Sequence, residues 1–316
     1  MKQENTYSIF AGLTQDASSE ILRVDEVSDD WNRCCCAPYH PTRLEVRQYV
    51  PTPGDASSSG TDHIQNEVFR DWDRLSPVDR QQALHDHYTK FPVLMSILRD
   101  DGQRCCKYPC KCLSTWVCFP FCQDGVHLYA GSIPEEADDE KGRYNITSST
   151  GADRLIGRVV QPNFGGWYIP ALELHDGFDA NTNAPFGKVE GPCCFGGWSE
   201  FCFDFKFTVS NPTSPLHAGD IGLITKKRPS DAGGFIAELC SDADLYSIQF
   251  KEERGLKAEQ KLTVLAAQLL LDYMLFDGNT KKCENRDEAV YCYCFYCSIL
   301  GNVCPCYIAI PKNNSK

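Results

Sequence analysis

The stretch KAEQKLTVLAAQLLLDYMLF, Lys257 to Phe276, is built of strong helix formers and is apolar on nearly every side after Leu262. A helix without a polar face cannot lie on the surface of a domain in water, so something must sheathe it. Its apolar part, Leu262 to Phe276, covers about 15 residues and carries Thr263, Gln268 and Asp272, whereas a bilayer asks for roughly 20 predominantly apolar residues. Gln268 and Asp272 fall one turn apart on one face, and an aspartate at the bilayer centre costs roughly 2.5 to 3.5 kcal/mol. The helix is therefore expected inside a protein core, its two polar side chains satisfied by surrounding strands. A single-pass span that leaves the following segment on the far side is the alternative.

Material for the sheath lies upstream. FCFDFKFTV sets Phe201, Phe203, Phe205, Phe207 and Val209 on one side and Cys202, Asp204, Lys206 and Thr208 on the other, the period-two pattern of a half-buried strand. LEVRQYV, GVHLYAG, RLIGRVVQ, WYIPALELHD, DIGLITKK and LYSIQF repeat the pattern between Gly, Pro, Asn and Asp punctuation. A mainly β domain of many short strands is expected. Two stretches break the rhythm. Pro51 to Pro92 offers a turn-rich loop and then a short helix, with Ser76 as N-cap, Pro77 at the first helical position and Asp79 completing a capping-box pattern. Pro134 to Gly151 is charged and Ser/Thr-rich, an exposed connection.

With 31 Lys+Arg against 43 Asp+Glu the net charge is −12, so no general basic field exists to hold a nucleic acid. The N-terminus MKQENTYSIF has no apolar run behind its charges, and a cytosolic setting is expected. There the 19 cysteines read as metal ligands, lipid attachment points or small apolar residues rather than disulfides, and the NIT sequon at Asn145 reads as a polar loop. No GxxxxGK[ST], GxSxG or HExxH signature occurs, so nucleotide, serine-hydrolase and zincin chemistry lack support. His85 and His87 sit in a helical segment where i and i+2 point apart, and read as surface histidines.

Three groups of residues carry chemistry. Cys105, Cys106, Cys110, Cys112, Cys118 and Cys122 admit zinc binding, reversible S-acylation beside Lys107 and Lys111, or burial as thiols. Asp242, Asp244 and Glu253 stand at positions 1, 3 and 12 of a twelve-residue window, as acidic EF-hand ligands do, but Tyr246 and Ser247 replace the ligand and the turn glycine at positions 5 and 6. Lys226, Lys227 and Arg228 make a short basic patch, which a solvated turn explains equally well.

Four stretches together resemble the phospholipid scramblase family: DWNRCCCAPYHPTRLEV (Asp30 to Val46), IGRVVQPNFGGWYIPALELHD, GKVEGPCCFGGWSEFCFDFKF, and IAELCSDADLYSIQFKEERGLKAEQKLTVLAAQLLLDYMLFDG, in the family's order between Tyr7 and Asp277. The resemblance implies a tubby-like, closed antiparallel β-barrel of about 12 strands around the hydrophobic C-terminal helix, which agrees with the separate reading of an all-round apolar helix. It also implies calcium-dependent, ATP-independent, bidirectional movement of phospholipids between leaflets. Calcium would be held by Asp242, Asp244 and Glu253, and attachment to the cytoplasmic face of a membrane, the plasma membrane above all, would come from palmitoylation at Cys105, Cys106, Cys110 and Cys112. No covalent catalysis is implied.

The chain departs from the family in lacking its proline-rich arm, so SH3 or WW partners are not expected, in diluting its cysteine block to CCKYPCKC, and in placing Leu245 and Ser247 where its calcium segment has Asn and Gly. Residues 1–50 are expected to begin the barrel, 51–92 to be an insert, 93–278 to complete the barrel and central helix, with the exposed loop at 134–151, and 279–316 to form a Cys-rich tail. A membrane-tethered tubby-like module that recognises phosphoinositides or a protein partner is the second functional class. Because a single acyl chain binds membranes only marginally, changing Cys105, Cys106, Cys110 and Cys112 together to Ser is expected to move the protein from the pelleted membrane to the soluble fraction. Continued pelleting with no hydroxylamine-sensitive label would exclude acylation there.

Overall fold

The computed structural model describes residues 6–12, 20–27, 42–48, 92–99, 123–133, 154–177, 184–212, 221–229, 244–252, 255–276 and 282–312. Among the described residues twelve strands precede the helix: β1 Thr6–Phe10, β2 Glu20–Val27, β3 Thr42–Gln48, β4 Val93–Arg99, β5 Gly125–Ala130, β6 Leu155–Val160, β7 Ala171–Asp176, β8 Gly187–Glu190, β9 Cys194–Phe195, β10 Phe205–Ser210, β11 Gly222–Lys227 and β12 Leu245–Phe250. Eleven of them pair antiparallel with their chain neighbours, from β1 to β8 and on through β10, β11 and β12, in one sheet. Among the described residues no backbone ladder joins the two end strands, β1 and β12.

The helix α1, Ala258–Leu271, runs on into a π-helical turn, Asp272–Phe276. Its start is tied down twice by Gln260, whose side-chain oxygen accepts from the Lys257 N–H at 3.1 Å and whose amide donates to Asp176 of β7 at 3.3 Å. Every residue from Thr263 to Phe276 is buried. Against them stand inward positions of the sheet such as Val46, Ile97, Leu128, Val159, Leu174 and Phe207, each at most 1 % exposed. Burying a side chain of this kind contributes about 1.5 to 3 kcal/mol, so the interlock of helix and sheet is the main stabilising feature of the fold. The fit is close: the cavity lined by Leu44, Ile97, Leu269, Leu270 and Tyr273 holds only about 10 Å³, room for one water at most.

Alternation misleads at one strand. The pattern predicts a strand from Phe201, yet β10 begins only at Phe205, and Phe203 is 63 % exposed. Gly196 and Gly197, at φ of 71° and 64°, instead lead into a 3-10 turn, Gly197–Phe201, where the Ser199 hydroxyl donates to the Gly196 carbonyl at 2.6 Å. That φ range is one glycine enters without strain.

The segment after the helix is expected only as a Cys-rich tail. It forms β13 Cys283–Asn285, β14 Ala289–Ile299 and β15 Asn302–Pro311, a second antiparallel sheet to which β9 adds its short edge. The tip of the β14–β15 hairpin meets the loop after β6. Leu300 donates its N–H to the Trp167 carbonyl, and a Cβ on Gly165 would lie 2.2 Å from the Gly301 Cα. The positive-φ non-glycine residues among those described, Phe164, Trp167 and Leu300, all sit at this junction, so the backbone strain of the described fold is gathered there.

Gly157 of β6 matters for another reason. A Cβ there would lie 2.2 Å from the Thr263 hydroxyl and 3.3 Å from its Cβ, so only glycine lets β6 lie this close to the helix. Gly157→Ala is expected to cost about 1 to 3 kcal/mol by overpacking, with Thr263→Ala in the same chain recovering most of the loss. A double-mutant cycle by urea unfolding measures the recovery, and additive losses would refute the contact.

Candidate functional site

The last turn of the helix carries the charged centre of the core. Asp272, 7 % exposed, accepts from the Tyr7 hydroxyl at 2.9 Å and from the Tyr246 hydroxyl at 2.7 Å. Tyr7 belongs to β1 and Tyr246 to β12, so the two end strands of the sheet meet on one carboxylate. Burial first, and then Asp244, push the Asp272 carboxyl up to about 7, against the pull of Lys226 and the two tyrosines. Tyr246 is itself carried well above its ordinary value by burial and by Asp272. The sequence expectation that strands would satisfy Asp272 is met by these two hydroxyls, and Gln268 is buried one turn before it.

Beside this carboxylate lies an ion-pair network. Lys226 of β11, its side chain 3 % exposed, approaches Asp244 at 2.6 Å and Glu200 at 3.4 Å, with its ammonium 3.9 Å from the centre of the Phe276 ring. Burial works against the charge of Lys226, but Asp244 and Glu200 outweigh it and leave the ammonium above its ordinary pKa. Lys282, entering the second sheet, reaches the same Glu200 oxygen at 3.6 Å. Glu200 thus ties the main sheet to the segment after the helix. On the far side of the last turn the Tyr273 hydroxyl donates to Glu26 at 3.0 Å, and Arg99 pairs with Asp124 at 3.1 Å.

These positions revise the basic patch. Lys226 is interior, Lys227 lies 3.5 Å from Asp204, and Arg228 donates its backbone N–H to Asp204 and its guanidinium to the Cys202 carbonyl. Those bonds, led by the Arg228 N–H, hold the Asp204 carboxyl below its usual range.

Of the expected calcium ligands, Asp244 is described and is engaged by Lys226; Asp242 and Glu253 lie outside the described residues. Positions 4 to 9 of that window are β12, extended over about 17 Å at about 3.3 Å per residue, whereas an EF-hand coils so that its ligands converge. The described part of the window does not fit such a cradle, and no group of three His, Cys, Asp or Glu suited to a metal occurs among the described residues. Cys105, Cys106, Cys110, Cys112, Cys118 and Cys122 also lie outside the described residues, as do His85, His87 and Asn145.

An open site lies on the outer surface, where Pro192, Cys194, Ser199, Phe203, Phe205 and Phe295, with Asp204 and Lys206, line a groove of about 450 Å³. Sequence reasoning missed it because the 3-10 turn that exposes Phe203 interrupts an apparently continuous strand.

The architecture is that of a β domain sheathing a C-terminal helix that carries its polar centre at its last turn. The Scramblase family model matches residues 143–278, a stretch that contains β6 through the end of the helix. Over those residues the chain is similar to the phospholipid scramblase family. No curated protein and no solved structure matches it. No helix among the described residues is long and apolar enough to cross a membrane.

The raised carboxyl gives a pH signature. A group that holds its proton more tightly folded than unfolded stabilises the fold most below its unfolded pKa, near 3.8, and loses that contribution as pH rises to about 7. Wild type is therefore expected to lose up to about 4 kcal/mol relative to Asp272→Asn across that window, from about three pK units at 1.36 kcal/mol each. Parallel stability curves for the two proteins would show that Asp272 titrates normally.

Proposed function

We propose that this protein moves phospholipids between bilayer leaflets in both directions and without ATP, as a scramblase, and that the lipid travels along the outside of the domain. The family match supports the activity. The route rests on one observation: the space between helix and sheet is close-packed, with about 10 Å³ left beside Leu269 and Leu270, while the outer groove at Phe203 offers about 450 Å³. A phospholipid needs an apolar wall for its acyl chains and polar groups for its headgroup. Phe203, Phe205 and Phe295 supply the first, and Lys206, Ser199 and Asp204 the second.

In this proposal the sheet closes edge to edge as a barrel around the helix, a reading supported by Tyr7 and Tyr246 sharing the Asp272 carboxylate. Closure would hold the helix inside while the groove face meets the headgroup layer at the cytoplasmic side of the membrane. No step is assigned to calcium, because Asp244 is held by Lys226 and β12 runs straight through the window. Recognition of phosphoinositides by a tethered module is the weaker reading, since Lys226 is paired inside the domain and Lys227 and Arg228, at the surface, are engaged with Asp204 and the Cys202 carbonyl.

Liposomes with a fluorescent phospholipid in one leaflet, read by dithionite quenching, test the proposal. Wild type is expected to equilibrate the leaflets, and Phe203→Glu to slow this about tenfold or more with an unchanged melting temperature, because the side chain is exposed. Full activity in Phe203→Glu would remove the groove from the route, and an inactive wild type would remove the activity. The same assay with and without calcium, in wild type and Asp242→Ala/Asp244→Ala, reports whether the acidic window has any part in control; loss of a calcium response in the double variant alone would restore it as a site.

A further inference from the structure

The strand β14 has a sulfur pair on each side. Cys292 lies opposite Cys283 of β13 and Cys297 opposite Cys194 of β9, each with 3.4 Å between the sulfur atoms. The two pairs occupy the same kind of place in their ladders. Tyr293 donates its N–H to the Lys282 carbonyl at 3.0 Å, and Ser298 donates to the Cys193 carbonyl at 3.1 Å. Residues 282 and 293, and 193 and 298, are therefore the hydrogen-bonded pairs, and each cysteine pair, one residue along, is a non-hydrogen-bonded one. At such positions the Cα atoms stand about 4.5 Å apart, within the span a disulfide bridges without moving the backbone. Small apolar filling explains one such coincidence poorly and two on the same strand worse.

The structure assigns Cys194 and Cys297 as a reversible disulfide site that fastens the C-terminal sheet to the rest of the domain, with Cys283 and Cys292 as a second bond within that sheet. The oxidant is a small disulfide such as oxidised glutathione. The thiolate of one cysteine attacks it, a mixed disulfide forms, and one glutathione leaves as thiolate and takes up a proton. The partner cysteine then displaces the second glutathione and gives up its own proton. Two protein thiols lose two electrons, and one oxidised glutathione becomes two thiols. Burial raises Cys194 and carries Cys297 up to about 12, so the thiolate is scarce at neutral pH and exchange quickens in alkali. Of the four thiols Cys283 is exposed and Cys194, Cys292 and Cys297 are half-buried, so each pair has a sulfur that the oxidant can reach.

The consequence lies in what the longer bond encloses. Between Cys194 and Cys297 run β10, β11, β12, the helix and β13. The oxidised form holds both ends of that segment together covalently and keeps the chain leaving the helix against β9; reduction leaves that contact to the β9–β14 ladder alone. The assignment does not depend on lipid transport.

The test uses the full reduced chain, equilibrated with oxidised glutathione at mildly alkaline pH, blocked with N-ethylmaleimide and digested without reductant. Mass spectrometry is expected to find peptides joining Cys194 to Cys297 and Cys283 to Cys292, each two hydrogens lighter than its parts. Cys297→Ser and, independently, Cys194→Ser should each remove the first link and keep the second. The oxidised protein should melt at a higher temperature than the reduced one, with the difference reduced in both variants. Absence of both links from folded protein, random pairing of the kind seen in urea, or stoichiometric zinc released on thiol blocking in place of the links would overturn the assignment.

Discussion

A helix that is apolar on all sides has to be kept from water along its whole length, and most of the fold follows from that requirement. The eleven-stranded sheet and the helix share one hydrophobic core, β6 comes close enough to need Gly157, and the cavity beside Leu269 and Leu270 has space for barely a water. The last turn is where apolar packing gives way to polar pairing. Asp272 takes a hydroxyl from each end of the sheet, so one carboxylate registers the first strand, the last strand and the helix against one another. Low dielectric around it strengthens these bonds and also makes the charge costly, which is why its proton is held so tightly.

The neighbouring network shows how an acidic chain can still bury cations. Lys226 is covered by two carboxylates and the Phe276 ring, and Glu200 shares its charge with Lys282. Removing either partner would leave an uncompensated buried charge, a larger loss than the pair is worth in itself. The network thus specifies the arrangement of β11, the 3-10 turn and the approach to β13. It also commits the polar groups of this part of the interior to one another.

What the sequence disclosed depended on how sharply its residues differ in polarity. The helix stood out because nothing in Leu262 to Leu271 breaks its apolar run except Thr263 and Gln268, and β3, β5, β6, β7, β11 and β12 stood out through their alternation. The tail strands did not. In VYCYCFYC, cysteine and tyrosine serve on either face, so a period of two leaves no trace. Lys226 was legible in part: it shares a face with Ile224, which is fully buried, but Leu223 on the other face is apolar too and hides the phase. Tyr7 and Asp272 lie 265 residues apart, and no local pattern announces such a pair.

The place of the helix in the chain bears on how the protein is made. Translation delivers β1 to β12 before Ala258 leaves the ribosome, so the inner faces of the sheet are synthesised well ahead of the side chains that cover them. Until then the nascent chain is a set of amphipathic strands with an unfilled concave side, the kind of species that aggregates or engages chaperones. Consolidation waits for the helix to be synthesised. A stop codon anywhere before Leu262 would therefore yield no smaller working domain, only an emptied sheet exposed to degradation.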